Sequence, residues 1–349
     1  MERAEEEEGG EEEKKMVELF RVPEDLPLVG TVCFGIVDRG TNVLQIRPTT
    51  YCPLNCIFCS TDAGPNSKRR RAEYLVNIDH LMDWVAEFVR IKGEGVEAHI
   101  DTVGDPLTYP QIVELVQRLR ELDGVTTVSM QTHGYLLNER LIEDLSEAGL
   151  SRINLSIDAL DPVLAKKLAG TEQYDVERIL ELAKHIVENT PIDLLIAPVW
   201  VHPLNDLELE KIIKTAKELG AGKNCPPLGI QKCERHKYGR RTKEIKFMTW
   251  YEFYQRLREL ELRTNTKLIL RVSDFGIRPA RSLEPGYRKW ERVSLNVVGP
   301  GWFRGESLAV TRDKKWLVTL VGAEFEEGAE VSARLLRVKD NIFIATPLV

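Results

Sequence analysis

From residue 43 onward, short apolar runs alternate with amphipathic stretches of helical period, the pattern of parallel strands joined by helical crossovers. It predicts strands at VLQI (43–46), VEAHIDT (96–102), VTTVSMQT (125–132), RINLSI (152–157), DLLIAPVWV (193–201) and LGIQ (228–231). Between them fall helices near 78–92, 110–122, 138–148, 175–189 and 207–219. Six strand–helix units are too few to close an eight-stranded barrel. They suit an α/β fold in which a curved, open sheet forms a partial (β/α)6 TIM-like barrel, with its site at the carboxyl ends of the strands.

After the helical pattern TWYEFYQRLRELE (249–261) and a strand expected near KLILRV, the texture changes. Residues 287–349 carry short alternating runs, VSLNVVG, ESLAVT, WLVTLV, AEVSARLLRV and NIFIATPLV, separated by Gly, Pro, Asp and Asn turns. That pattern predicts a small C-terminal antiparallel β-barrel, OB-like in size. The division expected is an acidic disordered tail over 1–15, a partial barrel over 16–286 and the small barrel over 287–349.

Charge changes this picture little. The formal net charge is −7, and residues 1–15 hold eight acids and three bases, so they supply −5 of it and leave −2 for the rest. A strongly charged body is thereby excluded. There is no run of eighteen apolar residues, and the first residues, MERAEEEEGGEEEKK, are the reverse of a basic-then-apolar leader. No membrane association and a cytoplasmic location are expected.

Cysteine usage is more informative. Six cysteines in 349 residues are no secreted disulfide framework, and three of them, Cys52, Cys56 and Cys59, fall within RPTTYCPLNCIFCSTDAGP after the first predicted strand. A closed zinc site takes four ligands, and this C-x3-C-x2-C spacing offers no local fourth. Three thiolates on one tight loop instead suit three irons of a 4Fe-4S cluster, leaving the fourth iron open to a small chelating ligand.

With Phe58 directly before the third cysteine, residues 43–235 resemble the radical S-adenosylmethionine (radical SAM) superfamily. The resemblance implies that SAM chelates the open iron, that one electron from the cluster cleaves it to methionine and a 5′-deoxyadenosyl radical, and that an electron donor such as ferredoxin or flavodoxin serves it. It also implies cofactor contacts at later strand ends. In TVGDP (102–106), Gly104 and Asp105 stand where the family has a Gly-Gly-Glu-Pro loop, with Val103 and Asp105 departing from that pattern. QTHG (131–134) places Thr132 and His133 where many members have Thr-Asn-Gly; NLSIDA supplies Ser156 and Asp158; HPLND supplies Asn205. Other roles compete at each position: helix capping for Thr102, Ser156 and Asn205, turn chemistry for Asp105, and an ordinary structural histidine for His133.

Cys225 and Cys233, with His236, are short of a full ligand set and read first as ordinary thiols, with an auxiliary cluster as the alternative; Cys33 reads as buried. Two basic stretches, SKRRR (67–71) and the segment from Lys232 to Lys246, are expected near the cluster and suit phosphates, or else are solvated faces. The last segment, with Gly-Pro-Gly then Arg-Gly-Glu, EEGAEVSARLLRV and KDNIFIATPL, resembles a TRAM domain, a small RNA-binding barrel. Arg69, Arg70, Arg71, Arg240, Arg241, Trp302 and Arg304 are accordingly candidates for RNA contact, with Phe303, Arg337 and Lys339 beside them, because rings and bases serve looped RNA. The expectation is a radical SAM enzyme that modifies RNA, with tRNA as partner. The alternatives are a radical SAM enzyme acting on a peptide or small metabolite, and a non-catalytic RNA-binding protein with a structural or redox-sensing cluster.

Overall fold

The computed structural model describes residues 17–240 and 242–348, so the predicted acidic tail lies outside the described residues. The first part of the chain runs β1 (Glu18–Arg21), β2 (Gly35–Asp38), β3 (Val43–Arg47), β4 (Ala72–Leu75), α1 (Ile78–Lys92), β5 (Val96–Ile100), α2 (Ile112–Glu121) and β6 (Val125–Thr132). It continues through α3 (Glu139–Glu147), β7 (Arg152–Leu155), α4 (Pro162–Ala169), α5 (Val176–Asn189), β8 (Asp193–Ile196), β9 (Val199–Trp200), α6 (Glu208–Leu219), β10 (Gln231–Lys232) and α7 (Trp250–Thr264). Five strands follow: β11 (Arg292–Pro300), β12 (Glu306–Thr311), β13 (Leu317–Val321), β14 (Glu330–Arg337) and β15 (Ile344–Pro347).

The central sheet has the order β2-β3-β5-β6-β7-β8. Strands β3 to β8 in that sheet are parallel, and β2 is an antiparallel edge. Six strands were expected, but not these six. The predicted strand at 228–231 does not join this sheet as a ladder: it bridges Leu228 to Ile196 and its last residue enters the two-residue β10 beside β9, since Pro226 and Pro227 before it have no N–H to give. The sixth strand of the sheet is instead β2, at the opposite edge beside β3, inside the apolar run read only as surrounding Cys33. The predicted strand over 193–201 breaks into β8 and β9 around Pro198. No strand forms at KLILRV, since the Leu268 and Ile269 amides donate to the Glu261 carboxylate, at 2.7 and 2.8 Å.

Helix α1 shows why the helices form where periodicity places them. Leu81, Val85, Phe88 and Val89 recur on one buried face, Asn77 Oδ1 accepts from the Asp79 and His80 amides, and Gly93 closes the helix at φ 81°. Such a cap stabilises by about 1 kcal/mol.

The last five strands close into a barrel of order β11-β12-β13-β15-β14, with Val293, Leu295 and Val297 alternating into its core. This barrel is bonded to the α/β part. Leu317 N–H donates to Val29 O (2.8 Å), Phe343 N–H to Gly30 O (2.7 Å), Arg71 N–H to Trp302 O (2.9 Å) and Arg304 N–H to Arg69 O (2.9 Å). Gly30 is obligatory at this seam: its φ is 116°, and a Cβ there would lie 2.0 Å from Leu317 O.

Candidate active site

The loop from Thr50 to Ala63, directly after β3, carries three thiols and is held by two arginines, Arg70 fully buried and Arg240 partly so. Arg240 donates from Nε to Asp62 Oδ1 (2.8 Å), from Nη1 to Cys56 O (3.1 Å) and from Nη2 to Ala63 O, while its own amide donates to Cys59 O (2.8 Å). Arg70, with no exposed surface, donates to Thr50 O (2.7 Å), Thr61 O (3.1 Å), Thr61 Oγ1 (3.0 Å) and Val103 O, and is ion-paired with Glu73 (2.9 Å). Its guanidinium lies over the Trp302 ring, 5.0 Å from the centroid, so one side chain joins the loop, the neighbouring strand end and the C-terminal barrel.

The next strand ends pack around this loop. Gly104 approaches so closely that a Cβ would lie 2.0 Å from Tyr51 O and 2.4 Å from Thr50 O. Asp105 is buried; it accepts from the Leu107 amide (3.1 Å), the Thr132 hydroxyl (2.9 Å) and the His133 amide (3.1 Å), which joins the second and third loops. Asp158 lies 3.9 Å from His133 Nδ1 and accepts from the Val199 amide (2.8 Å). Burial pushes its pKa up, and His133 opposes that shift.

A cavity of about 1000 Å³ opens here. Cys52, Cys56, Cys59, Phe58, Gly104, Asp105, Thr132, His133 and Ser156 line it on the α/β side. Trp302, Phe303, Glu306, Thr319, Val321 and Ile344 close it from the C-terminal barrel. Residues 46–216, which contain the three thiols and the strand ends named on the α/β side, match the Radical SAM superfamily. An uncharacterized protein of Methanocaldococcus jannaschii is 38% identical over 346 residues, covering 93% of this chain and 79% of the relative.

The chain belongs to the radical SAM superfamily. A GTP 3′,8-cyclase of Alkaliphilus oremlandii is 30% identical over 181 residues, 51% of this chain and 53% of the cyclase, so the likeness spans about half of each protein. Among solved structures, HydG, a maturase of the [FeFe]-hydrogenase, superposes with a TM-score of 0.51 at 12% identity, over 65% of this chain and 50% of that one, a likeness of fold.

Radical SAM proteins use a 4Fe-4S cluster and S-adenosylmethionine. The donor set fits such a cluster. The three thiols are unbridged, line one cavity and feel one another's charge. Burial pushes Cys52 up to about 12 and Cys56 well above the usual thiol range, so both stay protonated until a metal displaces the proton. Cys59 Sγ accepts from the Ala63 amide at 3.2 Å, a donor suited to a thiolate, and lies 3.4 Å from Thr61 Oγ1, whose proton goes to Val103 O at 2.8 Å. Among the described residues no three ligating side chains converge on a single ion.

Several expected contacts are corrected by their surroundings. Asn205 has no exposed surface; its amide is spent on the Val201 N–H, Asp158 O and Val199 O, all at 2.8 Å, and it stitches loops without reaching the cavity. Arg70 is buried and closed to RNA, Arg240 is partly buried with its guanidinium turned onto the thiol loop, and Trp302 is buried beneath Arg70. Their basic stretches look like surface in sequence because backbone carbonyls, the partners these guanidinium groups take, leave no sequence signal. Arg71 is half-buried and paired with Glu324 at 3.0 Å, and Arg337 is paired with Asp340 at 2.8 Å. Arg69 and Arg304 are exposed; Arg241 lies outside the described residues. Cys225 and Cys233 do not meet: Cys225 neighbours Asp193, Arg152 and Glu97 at the strands' amino ends, whereas Cys233 neighbours Lys232, Asp158 and Glu234 at the cavity.

Sequence reasoning missed the cavity's polar floor, formed by Gln45, Arg47, His99, Asp101 and Gln131. The signal was present in VEAHIDT, where Glu97, His99 and Asp101 occupy alternate positions of a strand whose other face is apolar.

Proposed function

We propose that the protein binds SAM in this cavity, cleaves it reductively and uses the product to modify a small polar substrate held in the barrel lumen. The observation that carries this reading is the enclosure: the three-thiol loop and the C-terminal barrel line the same cavity of about 1000 Å³, a volume suited to SAM and a second small molecule.

In this reading Cys52, Cys56 and Cys59 hold the 4Fe-4S cluster, which supplies the electron that cleaves the SAM sulfonium when both are bound. Arg70 and Arg240 fix the loop that presents the thiols. Gly104 leaves room beside the loop, Asp105 and Thr132 fix the joint between the second and third strand ends, and Phe58, His133 and Ser156 shape the wall around SAM. Asp158 faces His133 from behind, at 3.9 Å. The C-terminal barrel excludes water from the reaction space by closing the cavity with Phe303, Val321 and Ile344. An electron donor of the ferredoxin or flavodoxin kind would serve the cluster. The likeness to GTP 3′,8-cyclases, whose substrate is a small molecule by their name, supports a small substrate.

The test is anaerobic reconstitution, reduction with dithionite in the presence of SAM, and quantification of 5′-deoxyadenosine. Release is expected from the wild type and none from the triple Cys52, Cys56, Cys59→Ala variant; no release from an iron-loaded wild type would sink the reading.

A second reading, an RNA substrate brought by a TRAM-like barrel, is favoured by one observation. Lys68, Arg69 and Arg304 form an exposed basic ridge on the seam, where the Arg304 amide donates to Arg69 O at 2.9 Å. A gel shift with bulk tRNA that weakens with salt and is lost in the double Arg69→Ala, Arg304→Ala variant would favour it; no shift at low salt would remove it.

A further inference from the structure

We infer that the cavity floor made by His99 on β5, Asp101 just beyond it and Gln131 on β6 is the substrate subsite, and that it takes the hydroxyl- or amino-bearing end of a small polar molecule. This rests on the proposed reaction and names the chemistry its substrate must bring.

The argument begins with one hydrogen. β5 and β6 pair in parallel, with His99 opposite Ser129. The Ser129 hydroxyl donates to Glu97 Oε1 at 2.6 Å, and Glu97 also accepts from Arg152. A hydroxyl has one proton, so the Ser129 oxygen facing His99 Nδ1, at 2.7 Å, is left as an acceptor. His99 therefore carries its proton on Nδ1, and Nε2 is a bare lone pair. Nε2 has no hydrogen-bond partner among the described residues, and His99 keeps part of its surface open to the cavity.

His99 also stays neutral. Burial lowers its pKa; Asp101 and Glu97 oppose that shift, and Arg152 and Arg47 add to it. Beside it, Asp101 accepts from Arg47 Nη2 (2.7 Å) and Gln45 Nε2 (2.8 Å). Burial raises the Asp101 pKa, but Arg47, His99 and the Thr102 amide together more than reverse that, so its carboxyl lies below the usual carboxylate range and is ionised. Gln131 lines the floor with an amide that makes no side-chain hydrogen bond among the described residues. The floor thus offers a neutral acceptor, an anionic acceptor and an adaptable amide. Its one guanidinium, Arg47, gives Nη2 to Asp101 and Nη1 to Val32 O, and its unpaired Nε–H is buried away from the open cavity. A phosphate or carboxylate would bring acceptors to acceptors and meet the Asp101 charge; a hydroxyl or amino group brings the donors that are lacking.

The test reads the histidine ring nitrogens of the full-length, cluster-reconstituted protein by 15N–1H correlation spectroscopy. His99 is assigned by the loss of its signals in His99→Gln or, should that variant not fold, by their displacement in Ser129→Ala. The expected result is an Nδ1–H tautomer at neutral pH whose Nε2 resonance moves on addition of glycerol or methylammonium chloride and stays in place with sodium phosphate. The responding probe tells hydroxyl from amino recognition. In Ser129→Ala the Nδ1–H form should lose population. An Nε2–H tautomer in the wild type, a response to phosphate, or no response to either donor probe overturns the inference. Failure of the proposed reaction would appear separately, as absent 5′-deoxyadenosine with this tautomer intact.

Discussion

The Arg240 guanidinium donates to the Cys56 carbonyl at 3.1 Å from a segment 184 residues further along the chain. The contact makes the segment after β10 a clamp on the thiol loop. Arg240→Gln removes the ion pair with Asp62 and the bond to Cys56 O; Asp62 keeps its bonds from the Lys68 and Arg69 amides, both at 2.9 Å. Because Arg240 is only partly buried and Asp62 stays hydrogen-bonded, losing the pair costs on the order of 1–3 kcal/mol, below the range for a fully buried pair. Urea denaturation of the metal-free protein should show that loss, and reconstituted iron should fall with it. The exposed Arg69→Ala should stay within about 0.5 kcal/mol of wild type. Equal stability of Arg240→Gln and wild type would refute the clamp.

Gly104 sits against the same loop from the other side. Its φ is not positive, so an alanine there is unfavourable only because of space: the Cβ would meet two backbone carbonyls, at 2.0 and 2.4 Å, which no side-chain rotation relieves. Gly104→Ala should therefore displace the loop and lose iron. Gly229→Ala, whose Cβ would meet only the flexible Leu195 side chain at 3.1 Å, should retain it. Iron and sulfide assays on the reconstituted variants give the comparison; full iron in Gly104→Ala would contradict it.

These two contacts also mark the boundary of what the chain reveals before folding. The parallel strands of the central sheet and the helices α1, α2, α3, α5 and α6 were legible because amphipathic period and apolar runs are local, whereas β2 and α4 were not read. The three thiols were legible because their spacing lies within one loop. Arg70 and Arg240 were misread because a buried guanidinium and a surface one have the same sequence context, and only tertiary structure supplies the carbonyls at Thr50, Val103 and Cys56. Asn205 was misread for the same reason. The cavity's cap was invisible for a further one: Phe303 and Glu306 reach the thiol loop through a barrel more than 200 residues away in the chain.

Cys225 and Cys233 have separate surroundings at opposite ends of the strands, so neither can complete a second cluster with the other. Single Cys225→Ala and Cys233→Ala variants should each retain about four irons per chain, the content of one cluster. Cys59→Ser should lose its cluster absorbance under the same reconstitution. A wild-type content near twice that figure, reduced by either outer substitution, would show that the two thiols share metal.

Glu306 gives the cavity a pH dependence whose sign can be worked out. Burial raises its pKa from 4.5 to about 7, against the opposing bond from the Phe303 amide (3.2 Å) and the charge of Lys237. Between those two values the folded chain holds a proton that the unfolded chain has released, so stability falls as pH rises through this window. The loss is absent below 4.5, complete above 7 and on the order of 3 kcal/mol. Glu306→Gln keeps an acceptor for the Phe303 amide and removes the titration. Its melting temperature should match wild type near pH 4.5 and exceed it increasingly towards pH 8; a difference that stays constant across that range would show that Glu306 does not titrate in the cavity wall.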